Sequence, residues 1–232
     1  MARVLVAASI LSADFGNLYR VVRKLERAGV DRIHLDVMDG NFVPNITFGP
    51  DVVAAVRRLT PLPIDVHLMI SDPARYTAQF LKAGSDTITF HVEVDAPPDE
   101  KRETLGRIRA ARRIAGLAVS PGTEVAAVQP FVDQLGIIMI MTVEPGFGGQ
   151  RFLAETAPKI GEARRLLDGR PDALVHVDGG VSGETAAVVG RYGAQVCVVG
   201  SALFQRGRDT AREVQEVRRE AGRQTVRAAV TG

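Results

Sequence analysis

Short apolar runs alternate along this chain with longer amphipathic stretches. The runs are rich in valine and isoleucine and have the length of strands, whereas the stretches between them repeat their apolar positions every three to four residues, as helices do. The eight runs lie near residues 4–10, 32–38, 64–69, 87–92, 116–120, 137–143, 174–178 and 196–201. Helical patterns cover residues 18–28, 51–59, 73–82, 99–114, 155–167, 182–192 and 208–229, with a short piece at 124–135. The pattern predicts eight strands that alternate with helices.

This order of elements predicts the fold class. Alternating strands and helices form a parallel α/β sheet with right-handed crossovers, and eight such units favour a closed (β/α)8 TIM barrel. An open doubly wound sheet is the main alternative, but it would carry a glycine-rich fingerprint after the first strand, and residues 8–12 do not have one. No linker or low-complexity stretch divides the sequence, so we expect a single barrel domain over residues 1–232.

Polar residues repeat on one face of the predicted strands. His34 shares a face with Asp36, His67 occupies a similar position in the next run, and Asp178 ends the seventh run. Charged groups on buried strands are costly unless they are paired or bind a metal, and the carboxyl ends of barrel strands meet at one rim. These four residues could therefore bind a divalent cation. Zinc suits such ligands, and Fe(II), Mn(II) or Co(II) would also accept them.

The sequence leaves the roles of three further polar residues on the predicted strands undecided. His176 shares a face with Asp178, and His91 ends the fourth run, so both are alternative ligands. Asp65 lies two residues before His67 and either orients that imidazole or forms an ion pair inside the barrel.

Glycine-rich turns follow the sixth, seventh and eighth predicted strands, at residues 146–149, 179–180 and 200–201. Glycine lets backbone N–H groups approach an anion, and barrels commonly bind phosphate after strands seven and eight. We therefore predict a phosphate site there. The loop at 144–150 is predicted to be a lid that closes over the substrate, with an ordinary surface loop as the alternative.

Two carboxylates, a cation and a phosphate site favour proton abstraction next to a carbonyl group. The four lysines fall in helical patterns away from the strand ends, which disfavours a Schiff base. A cation would stabilise the enediolate, while Asp36 and Asp178, from strands on opposite sides of the ring, would remove and return the proton on opposite faces. Met38, Met69 and Met141 end strands at the same rim and either fill the core or line a dry pocket.

Other functions fit the sequence less well. A metal-dependent hydrolase would need a His-x-His pair on the first strand, and a decarboxylase or aldolase-like synthase would need a lysine beside the carboxylates of the second; neither is present. The intact Asp36 and Asp178 argue against a non-catalytic binding protein on the same scaffold.

Composition narrows the class of protein further. The chain has 232 residues, 46% of them hydrophobic, and a net charge of +2 with basic residues that do not cluster with aromatic ones, so we expect no nucleic-acid partner. No apolar run is long enough to span a membrane, and we expect the protein not to bind membranes. The single cysteine, Cys197, is predicted to be a core thiol without a disulfide, which fits a reducing, cytoplasmic location.

The sequence closely resembles the ribulose-phosphate 3-epimerase family over nearly its whole length. The segments that carry the resemblance, in order, are residues 9–15, 34–45, 65–69, 143–150, 177–181 and 200–201. The family is a (β/α)8 barrel of the ribulose-phosphate-binding type that interconverts D-ribulose 5-phosphate and D-xylulose 5-phosphate. The resemblance therefore implies inversion at C3 of a sugar phosphate; the alternative is a related 3-epimerase that acts on a hexulose such as allulose 6-phosphate.

The resemblance also implies roles for individual residues. The metal ligands would be His34, Asp36, His67 and Asp178, with the two aspartates as acid and base, and this favours His34 over His176. One divalent ion, zinc foremost, and a homo-oligomer are expected. Substrate contacts would come from Ser9, His67, Gly146, Phe147, Gly148, Gly149, Asp178, Gly179, Gly180, Gly200 and Ser201. The chain departs from the family pattern at His176, Arg151 and Ser120, none of which is an implied ligand.

Overall fold

A closed barrel of eight parallel strands forms the centre of the computed structural model, which describes residues 3–205 and 207–230, with side chains in the last helix described up to residue 223. Each strand pairs with its neighbour in sequence order, and the last pairs with the first. The strands are β1 (Leu5–Ser9), β2 (Arg32–Met38), β3 (Ile64–Met69), β4 (Thr87–His91), β5 (Ile114–Val119), β6 (Ile137–Met141), β7 (Leu174–Asp178) and β8 (Val196–Val199). The predicted (β/α)8 TIM barrel is confirmed.

Helices surround the barrel in the positions that the amphipathic stretches predicted. They are α1 (Leu18–Ala28), α2 (Pro50–Leu59), α3 (Pro73–Ala83), α4 (Pro98–Ala110), α5 (Pro158–Leu166), α6 (Ala186–Arg191) and α7 (Thr210–Val230). Between β5 and β6 the connection is a 3-10 segment, Val125–Gln134, with Pro130 inside it. Among the described helices, none combines the length and the apolar character needed to cross a membrane.

The helix predicted over 99–114 ends earlier than expected. The helix stops at Ala110, Arg112 adopts a left-handed backbone conformation with φ of 57°, and Ile114 already belongs to β5. A residue in this conformation ends a helix, and glycine usually occupies it. Because arginine stands there instead, the sequence lacks the usual stop signal, and its helical pattern continues into the residues that form β5.

The inward-facing side chains divide the barrel interior into an aliphatic and a polar sector. Ala7, Val196 and Val198 fill one part of the aliphatic sector, and Ala118 and Met139 another. The polar sector lies on β2, β3 and β4 and consists of His34, Asp36, Asp65, His67, Thr87, Thr89 and His91, all of them buried. Buried polar groups are costly without partners, and each of these side chains except Thr89 has a polar partner within hydrogen-bond distance.

The outward faces of the strands are aliphatic and pack under the helices. Ile33, Leu35 and Val37 of β2 belong to this layer, as does Cys197 of β8, which has no exposed surface. Burial raises the pKa of the Cys197 thiol to about 12. The prediction that Cys197 is a core thiol is therefore confirmed.

Candidate active site

Four polar side chains converge at the carboxyl ends of the strands. His34 and Asp36 come from β2, His67 from β3 and Asp178 from the end of β7, and one nitrogen or oxygen from each lies within 4.8 Å of the others. His34 Nε2 is 3.2 Å from Asp36 Oδ1 and 3.8 Å from Asp178 Oδ2. His67 Nδ1 is 3.1 Å and 3.5 Å from the same two oxygens. Two imidazole nitrogens thus face two carboxylate oxygens around one point.

The two aspartates approach from well-separated strands of the ring. β2 and β7 lie three positions apart in the closed ring of eight, with β8 and β1 between them, which is one position short of diametrically opposite. The hydroxyl of Ser9, at the end of β1, donates to Asp36 Oδ2 at 2.6 Å. Asp178 is the register partner of Val198 on β8. The small inward residues of β1 and β8 leave the space in which the carboxylates meet.

The charges in this cluster support one another. Burial alone would raise the pKa of the Asp36 carboxyl, but the imidazoles of His34 and His67 hold it well below its usual range. Burial opposes the charged form of His34 as well, yet the carboxylates of Asp36 and Asp65 raise its pKa well above the usual value. The pKa of His67 is raised for the same reason by Asp178 and Asp36. The carboxylates therefore favour the protonated form of these two imidazoles.

Asp65 contacts His34 and not His67, so of its two expected roles the structure matches the pairing inside the barrel. Its Oδ2 atom lies 3.0 Å from His34 Nδ1, because Asp65 and His34 are register partners across β2 and β3. The hydroxyl of Thr87 donates to the other carboxylate oxygen. Asp65 thereby fixes the ring of His34 from behind.

His176 lies outside the group of four. Its Nδ1 atom is 3.4 Å from Asp65 Oδ2, and neither ring nitrogen has a hydrogen bond. It pairs in register with Met139 and Val196, deeper in the barrel than Asp178. Burial lowers the pKa of His176, although the nearby Asp65 carboxylate opposes this shift.

His91 lies on the far side of His67 from the carboxylates. The Nε2 atoms of His67 and His91 are 2.9 Å apart, and His91 Nδ1 is 3.0 Å from Glu93 Oε2. The other oxygen of Glu93 accepts the backbone N–H of Ser120 at 2.8 Å. Burial alone would raise the pKa of Glu93, but its hydrogen bonds to His91 and Ser120 lower it to about 2.

A pocket opens above the cluster at the mouth of the barrel. It is lined by predicted site residues, namely Ser9, Asp36, Met38, Met69, Met141, Gly146, Phe147, Gly148, Gly149, Asp178, Gly179, Gly180, Gly200 and Ser201. Glu144 and Gln150, the ends of the predicted lid, also line it, as do Leu11, Ser12 and Val143, which were not selected as site residues from the sequence. His34 and His67 are fully buried beneath it. The charged lining residues are Asp36, Glu144 and Asp178, and no lysine or arginine is among the described lining residues.

The glycine turn after β7 has no room for side chains. Gly179 and Gly180 have φ of 119° and 64°. A Cβ atom on Gly179 would lie 2.8 Å from the nitrogen of Val143, and one on Gly180 would lie 2.6 Å from the nitrogen of Phe152. This turn therefore lines the pocket with backbone atoms only.

The loop after β6 lines the pocket next to this turn. The Asn45 side chain donates to the carbonyl of Gly146 at 2.8 Å and ties this loop to the segment after β2. Phe147, at its tip, is 54% exposed. The Gln150 side chain donates to the carbonyls of Glu144 and Phe147, which closes the loop on itself.

Sequence comparison with known proteins identifies the family to which the chain belongs. The model of the ribulose-phosphate 3-epimerase family matches residues 5–204. The ribulose-phosphate 3-epimerase of Bacillus subtilis is 46% identical over 215 residues, which are 92% of this chain and 97% of that protein. The chloroplastic ribulose-5-phosphate-3-epimerase of Arabidopsis thaliana is 43% identical over 87% of this chain and 72% of that protein.

Solved structures with lower sequence identity share the fold. The crystal structure of 3-keto-L-gulonate-6-phosphate decarboxylase from Vibrio cholerae aligns with a TM-score of 0.71 at 12% identity, over 96% of this chain and 99% of that one. At that identity the likeness concerns only the barrel. Together with the match of the family model over the whole barrel, the sequence identity of 43% and 46% shows that the chain belongs to the ribulose-phosphate 3-epimerase family.

Proposed function

We propose that this protein is a metal-dependent epimerase that inverts C3 of D-ribulose 5-phosphate to give D-xylulose 5-phosphate. The observation that carries the proposal is the pair of carboxylates, Asp36 and Asp178, beside two buried imidazoles under a pocket, in a chain of this family. Two carboxylates that flank one substrate carbon can act as base and acid, so that one removes a proton from one face and the other adds a proton to the opposite face.

The residues present fit a divalent cation. His34 Nε2, Asp36 Oδ1, His67 Nδ1 and Asp178 Oδ2 provide two nitrogens and two oxygens, a set that suits zinc and is acceptable to Fe(II), Mn(II) or Co(II). The second nitrogen of each imidazole already has a partner, as is typical of metal-binding histidines. A bound cation would stabilise the negative charge that develops on the substrate when the proton leaves.

The proton transfers belong to the aspartates. One carboxylate accepts the proton from C3, which leaves a planar enediolate, and the other carboxyl group donates a proton to the opposite face of C3. Ser9 fixes Asp36 by donating to its Oδ2 atom. Met38, Met69 and Met141 line the pocket and would keep water from the reacting carbon.

The phosphate would be held by backbone groups. Because the described lining contains no cationic side chain, the negative charge of the phosphate must be met by the N–H groups of the turns at 179–180 and 200–201. The phosphate would then lie on the β7 and β8 side of the pocket, with the reacting carbon between Asp36 and Asp178.

An assay in deuterated water tests the proposed function. The purified protein should convert D-ribulose 5-phosphate to D-xylulose 5-phosphate and place deuterium at C3 of the product, because the proton is exchanged with solvent on a carboxyl group. Allulose 6-phosphate should be converted with a lower kcat/KM. Conversion with full retention of the original hydrogen, or a preference for the hexulose phosphate, would contradict the proposal.

Replacing Gly180 by alanine is expected to weaken substrate binding. The new Cβ would collide with the backbone of Phe152 and strain a residue with positive φ, so the turn must move. We expect kcat/KM to fall about 10-fold to 100-fold, since small displacements of binding groups have effects of this size. Gly169→Ala is the matched control, because Gly169 also has positive φ (78°) but lies before β7, away from the pocket. Equal activity of the two variants would exclude a role for the Gly180 turn.

A further inference from the structure

The contact between His67 and His91 determines where one proton lies. Their Nε2 atoms are 2.9 Å apart, and both rings are fully buried. Two protonated nitrogens would repel at this distance, and two bare nitrogens would bring their lone pairs together. One proton therefore lies between the rings, and one imidazole donates to the other.

The surroundings of His91 determine the direction of this hydrogen bond. Its Nδ1 atom is 3.0 Å from Glu93 Oε2, and a carboxylate only accepts hydrogen bonds. Nδ1 of His91 must carry the proton, so the Nε2 atom of the neutral ring is bare and accepts from His67. The remaining nitrogen of His67, Nδ1, is then free of a proton when that ring is neutral.

We infer that Glu93 and His91 act as positioning residues that hold His67 in the tautomer able to bind a cation through Nδ1. The inference rests on the proposed function, because it assumes that His67 is a metal ligand. The two imidazoles of the site would thus be oriented by different means, since His34 donates directly to the Asp65 carboxylate while His67 reaches a carboxylate through a second imidazole.

The contacts of Glu93 make Glu93→Gln a specific test of the tautomers of His91 and His67. Glu93 Oε1 accepts the backbone N–H of Ser120 at 2.8 Å. In Glu93→Gln the amide oxygen must take that place, which turns the amide NH₂ group toward His91 Nδ1. His91 Nδ1 then has to accept, its proton moves to Nε2, and the proton of neutral His67 moves to Nδ1. The substitution therefore reverses both tautomers with almost no change in shape.

Metal affinity of the whole protein tests this inference. The metal-free wild type and Glu93→Gln are titrated with Zn²⁺ in competition with a chromogenic chelator. We expect one equivalent to bind to the wild type, and the variant to bind about 10-fold to 100-fold more weakly, the usual effect of losing a partner behind a metal-binding histidine. The ¹⁵N chemical shifts of the histidine rings provide a second measurement: His91 should be protonated at Nδ1 in the zinc-loaded wild type and at Nε2 in the variant.

Two matched variants separate the proposed relay from general damage. Ser120→Ala removes a hydroxyl 3.2 Å from His91 Nδ1 but keeps the backbone N–H and Glu93, so its Zn²⁺ affinity should stay within about twofold of wild type. His91→Phe keeps the ring but removes the acceptor for His67 Nε2, so it should bind Zn²⁺ as weakly as Glu93→Gln. If Glu93→Gln fails to fold, His91→Phe provides the test.

The possible results distinguish the inference from the function on which it rests. A wild-type protein that binds no divalent cation would overturn the proposed metal site and with it this inference. If the wild type binds Zn²⁺ and the folded Glu93→Gln or His91→Phe variant binds it with the same affinity, the positioning role is refuted while the proposed function stands.

Discussion

Asp36→Asn and Asp178→Asn are each expected to lower kcat for epimerisation by about 10³-fold or more, because an amide can neither accept nor return the C3 proton. The change preserves the size and shape of each side chain, so the barrel should keep its far-UV circular dichroism spectrum. Conversion of D-ribulose 5-phosphate, followed by a coupled assay, measures the loss.

The exchange of hydrogen at C3 adds a sharper test of the two-base mechanism. A variant that retains one carboxylate should still exchange the C3 proton of one epimer with deuterated water without converting it to the other. The two variants should differ in which epimer they label. Asp168→Asn, at an exposed position after α5, serves as the control and should match the wild type. More than about a tenth of wild-type activity in either active-site variant would contradict the mechanism.

Removal of the divalent cation is expected to abolish epimerisation, and Zn²⁺, Mn²⁺ or Co²⁺ should restore it. The metal-free protein should stay folded, because the carboxylates of Asp36 and Asp65 then pair with the imidazoles of His34 and His67. The activity before and after treatment with a chelator, and after each metal is added back, gives the result. Full activity in protein shown to be metal-free by elemental analysis would end the proposal of a metal-dependent reaction.

The rate of metal loss should depend on pH in a defined direction. Burial opposes the charged imidazoles, but neighbouring carboxylates raise the pKa of both His34 and His67 in the metal-free protein. A cation must displace these protons, so its binding weakens as the pH falls. Inactivation by a chelator should therefore be faster at about pH 6 than at about pH 8. A rate that does not change over this interval would show that these imidazoles are not ligands.

The alternation of strand residues was sufficient to predict which side chains share the inner face of the barrel. Face sharing within a strand is a local property, so His34 with Asp36 could be read from the sequence. The barrel prediction then placed His67 and Asp178 at the same rim, where the structure has them. The fold class and the family resemblance are confirmed by the strand order and the comparisons.

Relations between strands were harder to predict because they depend on register and closure. The pairing of β2 with β3 brings Asp65 beside His34, although in the sequence it is nearer to His67. The contact between His67 and His91 joins residues from two strands and was not anticipated from either. Leu11 and Val143 were not selected as pocket residues, because a single sequence does not show how the segment after a strand folds back over the barrel.

The position of Cys197 has a practical consequence. Its thiol is buried on the outer face of β8 and stays protonated at neutral pH, so it offers no nucleophile to alkylating reagents or peroxide. Because it is the only cysteine in the chain, a second one introduced at an exposed site such as Phe147 would be the single reactive thiol. A fluorophore attached there would report on the loop after β6 without background labelling.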